Sequence, residues 1–173
     1  IESFTDGAQC SILIADQERK RLLHGSSPNL PPVYNEAVHG MPIGPTAGSC
    51  GTAAFLRKSM VATDIATDPL WEEYRSLALS YDLKACWSSP VFDDDQRVIG
   101  TFGLYYCHTR SPREKDRKII QQATDLASLV IQHYRAKEKI NFMAYHDALT
   151  GLANRRLFDE RVETAFTETK VAE

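Results

Sequence analysis

One segment of this 173-residue sequence restricts the fold more than any other, because it has every mark of a long continuous helix. At its start, Ser111 is followed by Pro112 and, three residues after the serine, by Glu114. This spacing is a capping box with proline at the first helical position. Neither glycine nor proline occurs between Pro112 and His146. The sequence therefore predicts a helix over 112–146, roughly 50 Å long at the usual rise per residue.

The predicted helix carries a repeat with alternating spacings of four and three, which is typical of a coiled coil. The repeat is apolar as far as Val130 and becomes polar at His133 and Lys137. We expect the first half to pack on the rest of the domain and the second half to pair in parallel with a second copy. The alternative is one long surface helix in a monomer. The repeat positions are Ile119, Ala123, Leu126, Val130, His133, Lys137, Ile140 and Ala144, and Ile120, Ala127 and Ile131 widen the first half.

The part of the chain before this helix mixes strand-like and helix-like segments. Polar turns at 16–19 and 93–96 join neighbouring β-rich runs, which indicates hairpins. Hairpins with helices between them predict an α+β fold with an antiparallel sheet. Strands are predicted at 10–15, 21–24, 59–63, 85–92 and 98–107, and helices at 33–39, 52–57 and 69–81, with a glycine-containing loop at 44–51.

The last stretch, 147–173, places Gly151 in a turn between two helical segments. An apolar stripe follows the turn and needs a surface to pack on, so we expect this stretch to begin a further domain. The stripe consists of Leu157, Phe158, Val162 and Phe166.

Charge and cysteine content exclude several classes of protein. With 20 basic and 23 acidic residues, the net charge of -3 gives no general attraction to nucleic acid or anionic lipid. No apolar run approaches the roughly 20 residues of a membrane helix, and the first residues lack a signal-peptide pattern, so we expect a cytoplasmic chain. Cys10, Cys50, Cys86 and Cys107 form no CxxC pair and no zinc-type cluster, which indicates reduced thiols and no metal site.

Four motifs, in order along the chain, resemble those of GAF domains. They are GSCGTAA at 48–54, DIATDPLW at 64–71, KACWSSP at 84–90 and IGTFGLYY at 99–106. The resemblance implies a GAF sensory domain body at 1–111, an antiparallel sheet flanked by helices, and a C-terminal GAF helix and signalling linker at 112–146. The first helix usual in GAF domains is reduced here to the residues before Ala8, which implies an altered dimer.

The segment DALTGLANRR at 147–156 resembles the opening of GGDEF domains, which make cyclic di-GMP from two GTP. The resemblance implies that 147–173 is the truncated start of such a domain. The parent protein is then a diguanylate cyclase or, with a degenerate GGDEF domain before a further domain, a cyclic di-GMP phosphodiesterase. The catalytic GGDEF loop lies beyond this chain, so we expect no enzyme activity and no catalytic residue here. Asp147, Asn154 and Arg155 are interpreted as capping, turn-forming and ion-pairing residues.

GAF domains bind ligands between the sheet and the segments over one face, here roughly 44–88. Aromatic rings with a few hydroxyls and one carboxylate suit a small, partly apolar ligand held by directed hydrogen bonds. The alternative is that the two tryptophans are core residues and that Asp64 caps a turn. The candidate ligand-binding residues are Cys50, Thr52, Asp64, Trp71, Tyr74, Cys86, Trp87 and Ser88.

Particular cofactors can be tested against these residues. No histidine occurs between His39 and His108, which disfavours a histidine-ligated haem. The Cys107-His108 pair resembles a bilin attachment site, but it ends the last strand instead of lying over the pocket, so bilin is also disfavoured. A cyclic nucleotide remains open, although the loop at 44–52 has no arginine to hold a phosphate. The ligand is not identified.

We interpret the chain as a small-molecule sensory GAF domain that controls a cyclic di-GMP output domain. Two alternatives remain open. The loop around Cys50 resembles that of the GAF-type free methionine sulfoxide reductases, whose catalytic cysteine we expect between Trp71 and Ala85, where this chain has none. A thiol redox sensor using Cys50 and Cys86, which lie close together in that fold, is the first alternative. A GAF module that only dimerises is the second.

Overall fold

The computed structural model describes Glu2, Thr5, 7–147 and 150–154. A single sheet of six strands is built in the order β3-β2-β1-β6-β5-β4, and each strand runs antiparallel to its neighbours. The strands are β1 Gln9–Asp16, β2 Arg21–Ser26, β3 Met41–Pro42, β4 Met60–Ala62, β5 Ala85–Phe92 and β6 Val98–Tyr106. The helices are α1 Pro32–Val38, α2 Gly48–Leu56, α3 Arg75–Ser80 and α4 Glu114–Tyr145. The predicted α+β fold, with its antiparallel sheet flanked by helices and its long last helix, is confirmed.

The sheet buries both of its faces, because successive side chains of a strand point to opposite sides. On one face, Cys86 and Tyr105 belong to a core with Trp71 and α2. On the other face, Trp87 and Leu104 belong to a core with α4. Both middle strands, β5 and β6, are therefore covered on each side, and all their residues except Phe92 at the end of β5 are buried.

Helix α2 begins at Gly48, four residues before the start that the glycine content predicted. Glycine has low helix propensity, but packing overrides it here. A Cβ atom on Gly51 would lie 2.5 Å from the Pro42 carbonyl oxygen and 2.6 Å from Ala47 Cβ. Glycine is therefore the residue that lets α2 approach β3 so closely. Ser49, Cys50 and Thr52 are buried as a result.

The helix predicted at 69–81 forms as two pieces. A short 3₁₀ helix, Pro69–Trp71, is capped by Asp68, whose carboxylate accepts a hydrogen bond from Leu70 N–H at 2.9 Å, as the sequence pattern predicts. Helix α3 starts only at Arg75. The break turns the Trp71 ring, which is 3% exposed, into the core.

Helix α4 starts at Glu114 and not at Pro112, because its capping bond comes from a different residue. The Asp116 carboxylate accepts a hydrogen bond from Arg113 N–H at 2.8 Å, and it also pairs with Arg110 at 3.3 Å. Asp116 is 1% exposed, so this ion pair fixes the first turn of the helix inside the protein.

The first half of α4 packs on the sheet as predicted, through part of the predicted stripe. Ala123, Ala127 and Ile131 face the sheet at spacings of four. Leu126 and Val130 belong to the predicted 4-3 repeat, but each is 58% exposed. The helix therefore contacts the sheet through an i, i+4 row that includes Ala123 of the repeat, whereas Leu126 and Val130 of the repeat lie outside that row.

One compact unit ends at Ile131 and another begins at Gln132. In the described part of the second unit, the Asp147 carboxylate accepts hydrogen bonds from Thr150 N–H and Oγ1 at 2.9 and 2.8 Å. The Asn154 amide donates to the Ala144 carbonyl oxygen at 2.8 Å, so both residues hold the turn at the end of α4. Arg155 and the apolar stripe from Leu157 to Phe166 lie outside the described residues. Across the described ranges, no helix combines the length and apolar content that crossing a membrane requires.

Candidate functional site

A small cavity lies between the sheet and the N-terminal half of α2. Its volume is about 10 Å³, which is the space of one water molecule. Aromatic side chains make up much of its wall, and the Cys50 side chain contributes a sulfur atom. The lining residues are Tyr34, Val38, Met41, Gly48, Ser49, Cys50, Trp71, Tyr74 and Tyr105.

A relay of two hydrogen bonds connects the wall of the cavity to the sheet. The Trp71 indole Nε1–H donates to Ser49 Oγ at 3.0 Å. Ser49 Oγ in turn donates to the Cys86 carbonyl oxygen at 3.1 Å. Ser49 is completely buried, so both bonds are shielded from water. The relay fixes the Trp71 ring and the start of α2 to strand β5.

Three aromatic rings meet edge to face on the sheet side of the cavity. The Tyr105 ring lies 6.4 Å from that of Trp71 and 5.9 Å from that of Tyr34, with interplanar angles of 84° and 80°. Such T-shaped pairs are favourable arrangements of aromatic rings. They define a rigid aromatic wall that a flat, partly apolar ligand would contact.

The Cys50 sulfur is the central polar atom of the site. It lies 3.6 Å from the Tyr105 hydroxyl, and a Cβ atom on Gly103 would be 3.2 Å from it. Hydrogen bonding to the Cys86 thiol lowers the pKa of Cys50, against the opposing effect of burial, and the hydroxyls of Ser88, Tyr105 and Thr101 add to the lowering. Burial raises the pKa of Cys86, with a further rise from its hydrogen bond to Cys50. Cys50 is thus the more acidic of two adjoining thiols.

Several buried hydroxyls near α2 and the middle strands make no hydrogen bond of ordinary geometry with a described residue. They are those of Ser11, Thr52 and Thr101, and their residues are at most 3% exposed. Thr101 is close enough to Cys50 to influence its pKa, yet it falls outside hydrogen-bonding geometry. Buried hydroxyls usually have a partner. Ser11 and Thr101, on strands β1 and β6, therefore have unused hydrogen-bonding capacity near Cys50, and Thr52 has unused capacity within α2.

The structure brings most of the predicted ligand-binding residues together. Cys50, Trp71 and Tyr74 line the cavity. Cys86 belongs to the same buried core as Cys50, and Ser88 lies on the same face of strand β5 as Cys86. Thr52 is buried two residues further along α2. These six residues occupy one side of the sheet.

The structure separates the other two predicted residues from the cavity. The Asp64 carboxylate accepts hydrogen bonds from Ala66 N–H at 3.0 Å and from the Thr67 hydroxyl at 3.3 Å, so it caps its own turn. Trp87 lies on the face covered by α4, because it is the strand neighbour of Cys86, and its Nε1–H donates to the Arg110 carbonyl oxygen at 3.1 Å. The placement of both residues in the pocket is corrected accordingly.

The sequence interpretation missed Tyr34, Met41 and Tyr105, which line the cavity from α1, β3 and β6. A signal for Tyr105 was present. Thr101, Gly103 and Tyr105 alternate with apolar residues along a strand, which predicts that they share one face. Tyr34 and Met41 carried no comparable signal, because their contribution depends on how the segment between β2 and α2 folds back.

We searched the described residues for groups of metal ligands and for a cysteine that could attach a cofactor in the cavity. Within them, no three His, Cys, Asp or Glu side chains come together in a way that could hold a metal ion. Cys107 and His108 are adjacent, with Sγ and Nδ1 3.8 Å apart, but Cys107 is exposed and is not part of the cavity wall.

Comparison with known proteins decides the family. A sequence profile of the GAF domain matches residues 1–132. The chain belongs to the GAF domain family. The match ends before 147–156, so the predicted GGDEF segment stays a prediction.

The methyl sulfide methyltransferase-associated sensor of Methanosarcina acetivorans is 35% identical over 139 residues, which are 80% of this GAF chain and 14% of that sensor. The chain therefore corresponds to a small part of the sensor's length.

Two solved structures share the fold. The GAF domain of an Acinetobacter phosphoenolpyruvate-protein phosphotransferase has a TM-score of 0.57 at 18% identity and covers 76% of this chain and 74% of its own. The free methionine-R-sulfoxide reductase of Neisseria meningitidis, solved with its substrate, has a TM-score of 0.57 at 20% identity and covers 76% and 70%. The GAF fold thus occurs both in an enzyme and in a domain of a phosphotransferase, so the fold alone does not fix this chain's chemistry.

Proposed function

We propose that this GAF domain senses a small, partly apolar ligand beneath α2 and controls a cyclic di-GMP output. The observation that carries the proposal is the pairing of an aromatic-lined cavity with buried hydroxyls that lack partners. A ligand with a few polar atoms would supply those partners while its body contacts Trp71 and Tyr105. Because the cavity now has the space of one water, binding requires α2 or the Trp71 segment to move outward. The cyclic di-GMP output rests on the resemblance of 147–156 to the GGDEF opening.

Native mass spectrometry of the protein purified from cells tests the ligand. We expect an additional mass that disappears on denaturation, and we expect the Thr52→Val variant to carry less of it. If the wild-type protein shows the mass of the chain alone, and metabolite extracts do not raise its thermal stability, the sensing proposal fails and a dimerisation-only module is favoured.

A contiguous series of contacts supports transmission from the cavity to α4. Ser49 bonds to the carbonyl of Cys86 on one face of β5, and the next residue, Trp87, bonds to the Arg110 carbonyl on the other face. Arg110 pairs with Asp116 in the first turn of α4. Movement of α2 would therefore change the packing at the start of the helix, which we propose repositions two GGDEF domains.

Insertion of one helical turn, about four residues, after Arg135 in the parent protein tests this transmission. We expect the insertion to change the output activity and its response to ligand, because four extra residues shift the phase of the heptad repeat beyond Arg135 in both helices. If the helices still pair and both properties are unchanged, helix register does not carry the signal.

We further propose that α4 pairs in parallel with a second copy of the chain. Leu126, Leu129 and Val130 support this, because they are 58 to 67% exposed on the part of α4 whose other side packs on the sheet. The Leu129→Glu variant should sediment as a monomer while the wild type sediments as a dimer. Gln122→Glu, a charge change at an exposed polar position of the same helix, is the matched control and should leave the dimer intact. A dimer that survives Leu129→Glu contradicts this interface.

The second candidate function is a thiol redox sensor, favoured by the presence of Cys50 and Cys86 as two free, buried thiols in the same core on one face of the sheet. A peroxide would oxidise the Cys50 thiolate to a sulfenic acid and be reduced to water. The Cys86 thiol would then attack that sulfur, forming a disulfide and releasing a second water. When the protein is unfolded after mild peroxide treatment, both thiols should resist alkylation, and in Cys86→Ser the oxidation of Cys50 should stop at the sulfenic acid without forming the intramolecular disulfide. Cys107, which is exposed, should stay alkylatable and is the internal control. Unchanged labelling of Cys50 and Cys86 in the unfolded, treated protein rules this function out.

A further inference from the structure

A second depression lies at the C-terminal end of α2 and shares no lining residue with the cavity beneath that helix. Three turns supply its wall. Lys20 comes from the β1–β2 turn, Arg57 follows α2, and Arg97 comes from the β5–β6 hairpin. The volume is about 550 Å³, which falls in the range of roughly 300–1,000 Å³ of small-molecule sites. We call this feature the basic groove.

The positive charges of the basic groove make few hydrogen bonds or strong ion pairs with the described residues. The Lys20 ammonium makes neither a hydrogen bond nor an ion pair with the described part of the chain. Arg57 donates one Nη–H to the Gln96 carbonyl oxygen at 2.5 Å, and a guanidinium has further N–H donors. Arg97 pairs with Asp95 at 3.4 Å, but both side chains are at least 70% exposed, so water weakens that pair.

Carboxylates in the neighbouring turns do not line the basic groove. Two of them are already engaged. Asp16 pairs with Arg21 at 3.1 Å, and Asp93 accepts a hydrogen bond from Arg97 N–H at 2.7 Å. The wall of the groove is therefore cationic although the chain as a whole carries a net charge of -3.

The backbone at two of these cations is in an unfavourable conformation. Lys20 has φ 49° and Arg57 has φ 56°, both in the left-handed region. Glycine would adopt this conformation without strain. Strained positions that carry a functional side chain cluster at binding sites. Arg57 adopts its left-handed conformation as the C-cap of α2, with its N–H bonded to the Ala53 carbonyl oxygen, so the end of that helix fixes where the Arg57 side chain begins.

The remainder of the basic groove is apolar. Phe55, on the last turn of α2, is 50% exposed, and Ile43, Ala54 and Val98 complete the surface around it. An inorganic ion would leave this apolar surface unused. We propose that the basic groove binds a small organic anion, in which a carboxylate or phosphate contacts Lys20 and Arg57 and an apolar ring or chain covers Phe55.

Fluorescence titration of the 173-residue protein with 1-naphthyl phosphate tests this site. We expect saturable binding that weakens by at least about tenfold, or about 1.4 kcal/mol, in each of Lys20→Gly and Arg57→Gly. Both changes remove a cation and relieve a left-handed residue, so thermal stability should be kept or increased. Asp82→Gly relieves the same strain outside the groove, and Lys118→Ala removes an exposed cation on α4. Both controls should bind the probe like the wild type.

Three results overturn the proposal. One is the absence of saturable binding up to about 1 mM, an affinity that one good anion site exceeds. Another is unchanged affinity in both glycine variants, which places the probe elsewhere. The third is equal affinity for 1-naphthol, because the anionic group then contributes nothing. Inorganic phosphate should bind more weakly than the naphthyl ester. None of these results depends on a ligand beneath α2.

Discussion

At the scale of single residues, the core near Cys50 differs from an ordinary core in how its hydroxyls are used. Thr124 on α4 is a useful contrast, since its hydroxyl donates to backbone carbonyl oxygens of the preceding turn at 2.8 Å. Thr52 on α2 is fully buried, and its hydroxyl has no hydrogen-bond partner in the described chain. A buried hydroxyl without a partner is destabilising by about 1–3 kcal/mol. The domain therefore holds an unfavourable group in α2, the helix that borders its candidate site.

Replacing the Thr52 hydroxyl by a methyl group should stabilise the ligand-free protein. For Thr52→Val we expect the free energy of unfolding in urea to rise by about 1 kcal/mol, because the desolvated hydroxyl is removed at nearly constant volume. Thr124→Val is the matched control and should lower the free energy of unfolding or leave it unchanged, since that hydroxyl has partners. A loss of stability in Thr52→Val would mean that water satisfies the hydroxyl.

At the scale of elements, the start of α4 is fixed by one buried ion pair. Asp116 bonds to Arg110 and to the backbone of Arg113. The Arg110 guanidinium also lies 4.8 Å from the Tyr106 ring centroid and 5.7 Å from that of Trp87. The last strand, the aromatic core beneath it and the first turn of the helix therefore meet at a single carboxylate.

Asp116→Asn should destabilise the protein by about 3 kcal/mol, because it leaves a largely buried guanidinium without its carboxylate. The amide keeps an acceptor for Arg113 N–H, so the loss comes from the charge. Asp125→Asn changes an exposed carboxylate of the same helix and should alter stability by less than about 0.5 kcal/mol. Urea unfolding measures both variants. Equal effects of the two substitutions would show that the buried pair adds nothing.

Elements with strong local signals could be predicted from the sequence. The hairpins β1–β2 and β5–β6 have polar turns between apolar runs, and α4 lacks any breaker. The start of α2 could not be predicted, because Gly51 in a helix makes sense only once the Pro42 backbone is seen against it. The residues of the candidate site also differ in how far the sequence predicts them. Cys50 and Trp71 belonged to recognisable motifs, whereas the position of Trp87 depended on which strand face it occupies.

At the scale of the whole molecule, buried acidic groups make stability depend on pH. Burial raises the pKa of Cys10 to about 12, and it raises the pKa values of Tyr34, Cys86 and Tyr105 well above their ordinary values. These groups keep their protons in the folded protein while the unfolded chain loses them first. Stability is therefore complete below the unfolded pKa values and falls as the pH rises through them. Cys50 acts in the opposite direction, because its pKa is lowered.

We expect the urea midpoint to fall markedly between about pH 8 and pH 10.5, the interval in which free thiols and phenols ionise. Tyr34→Phe should make the decline shallower, because one buried phenol no longer contributes. For each protein, the urea midpoint at the higher pH is subtracted from the midpoint at the lower pH. The two differences are then compared, so the packing change at Tyr34 cancels. A slope that is identical in Tyr34→Phe would show that the phenol ionises equally in both states.

The two tryptophans lie on opposite sides of the sheet, Trp71 against the cavity and Trp87 against α4. Each indole N–H has its own fixed acceptor, Ser49 Oγ for one and the Arg110 carbonyl for the other. The domain therefore contains two tryptophan fluorophores, one on each face of the sheet. In Trp71→Phe the emission comes from Trp87 and reports on the face covered by α4. In Trp87→Phe the emission comes from Trp71 and reports on the cavity. Stopped-flow traces of the pair would time the passage of a disturbance across the sheet without any attached label.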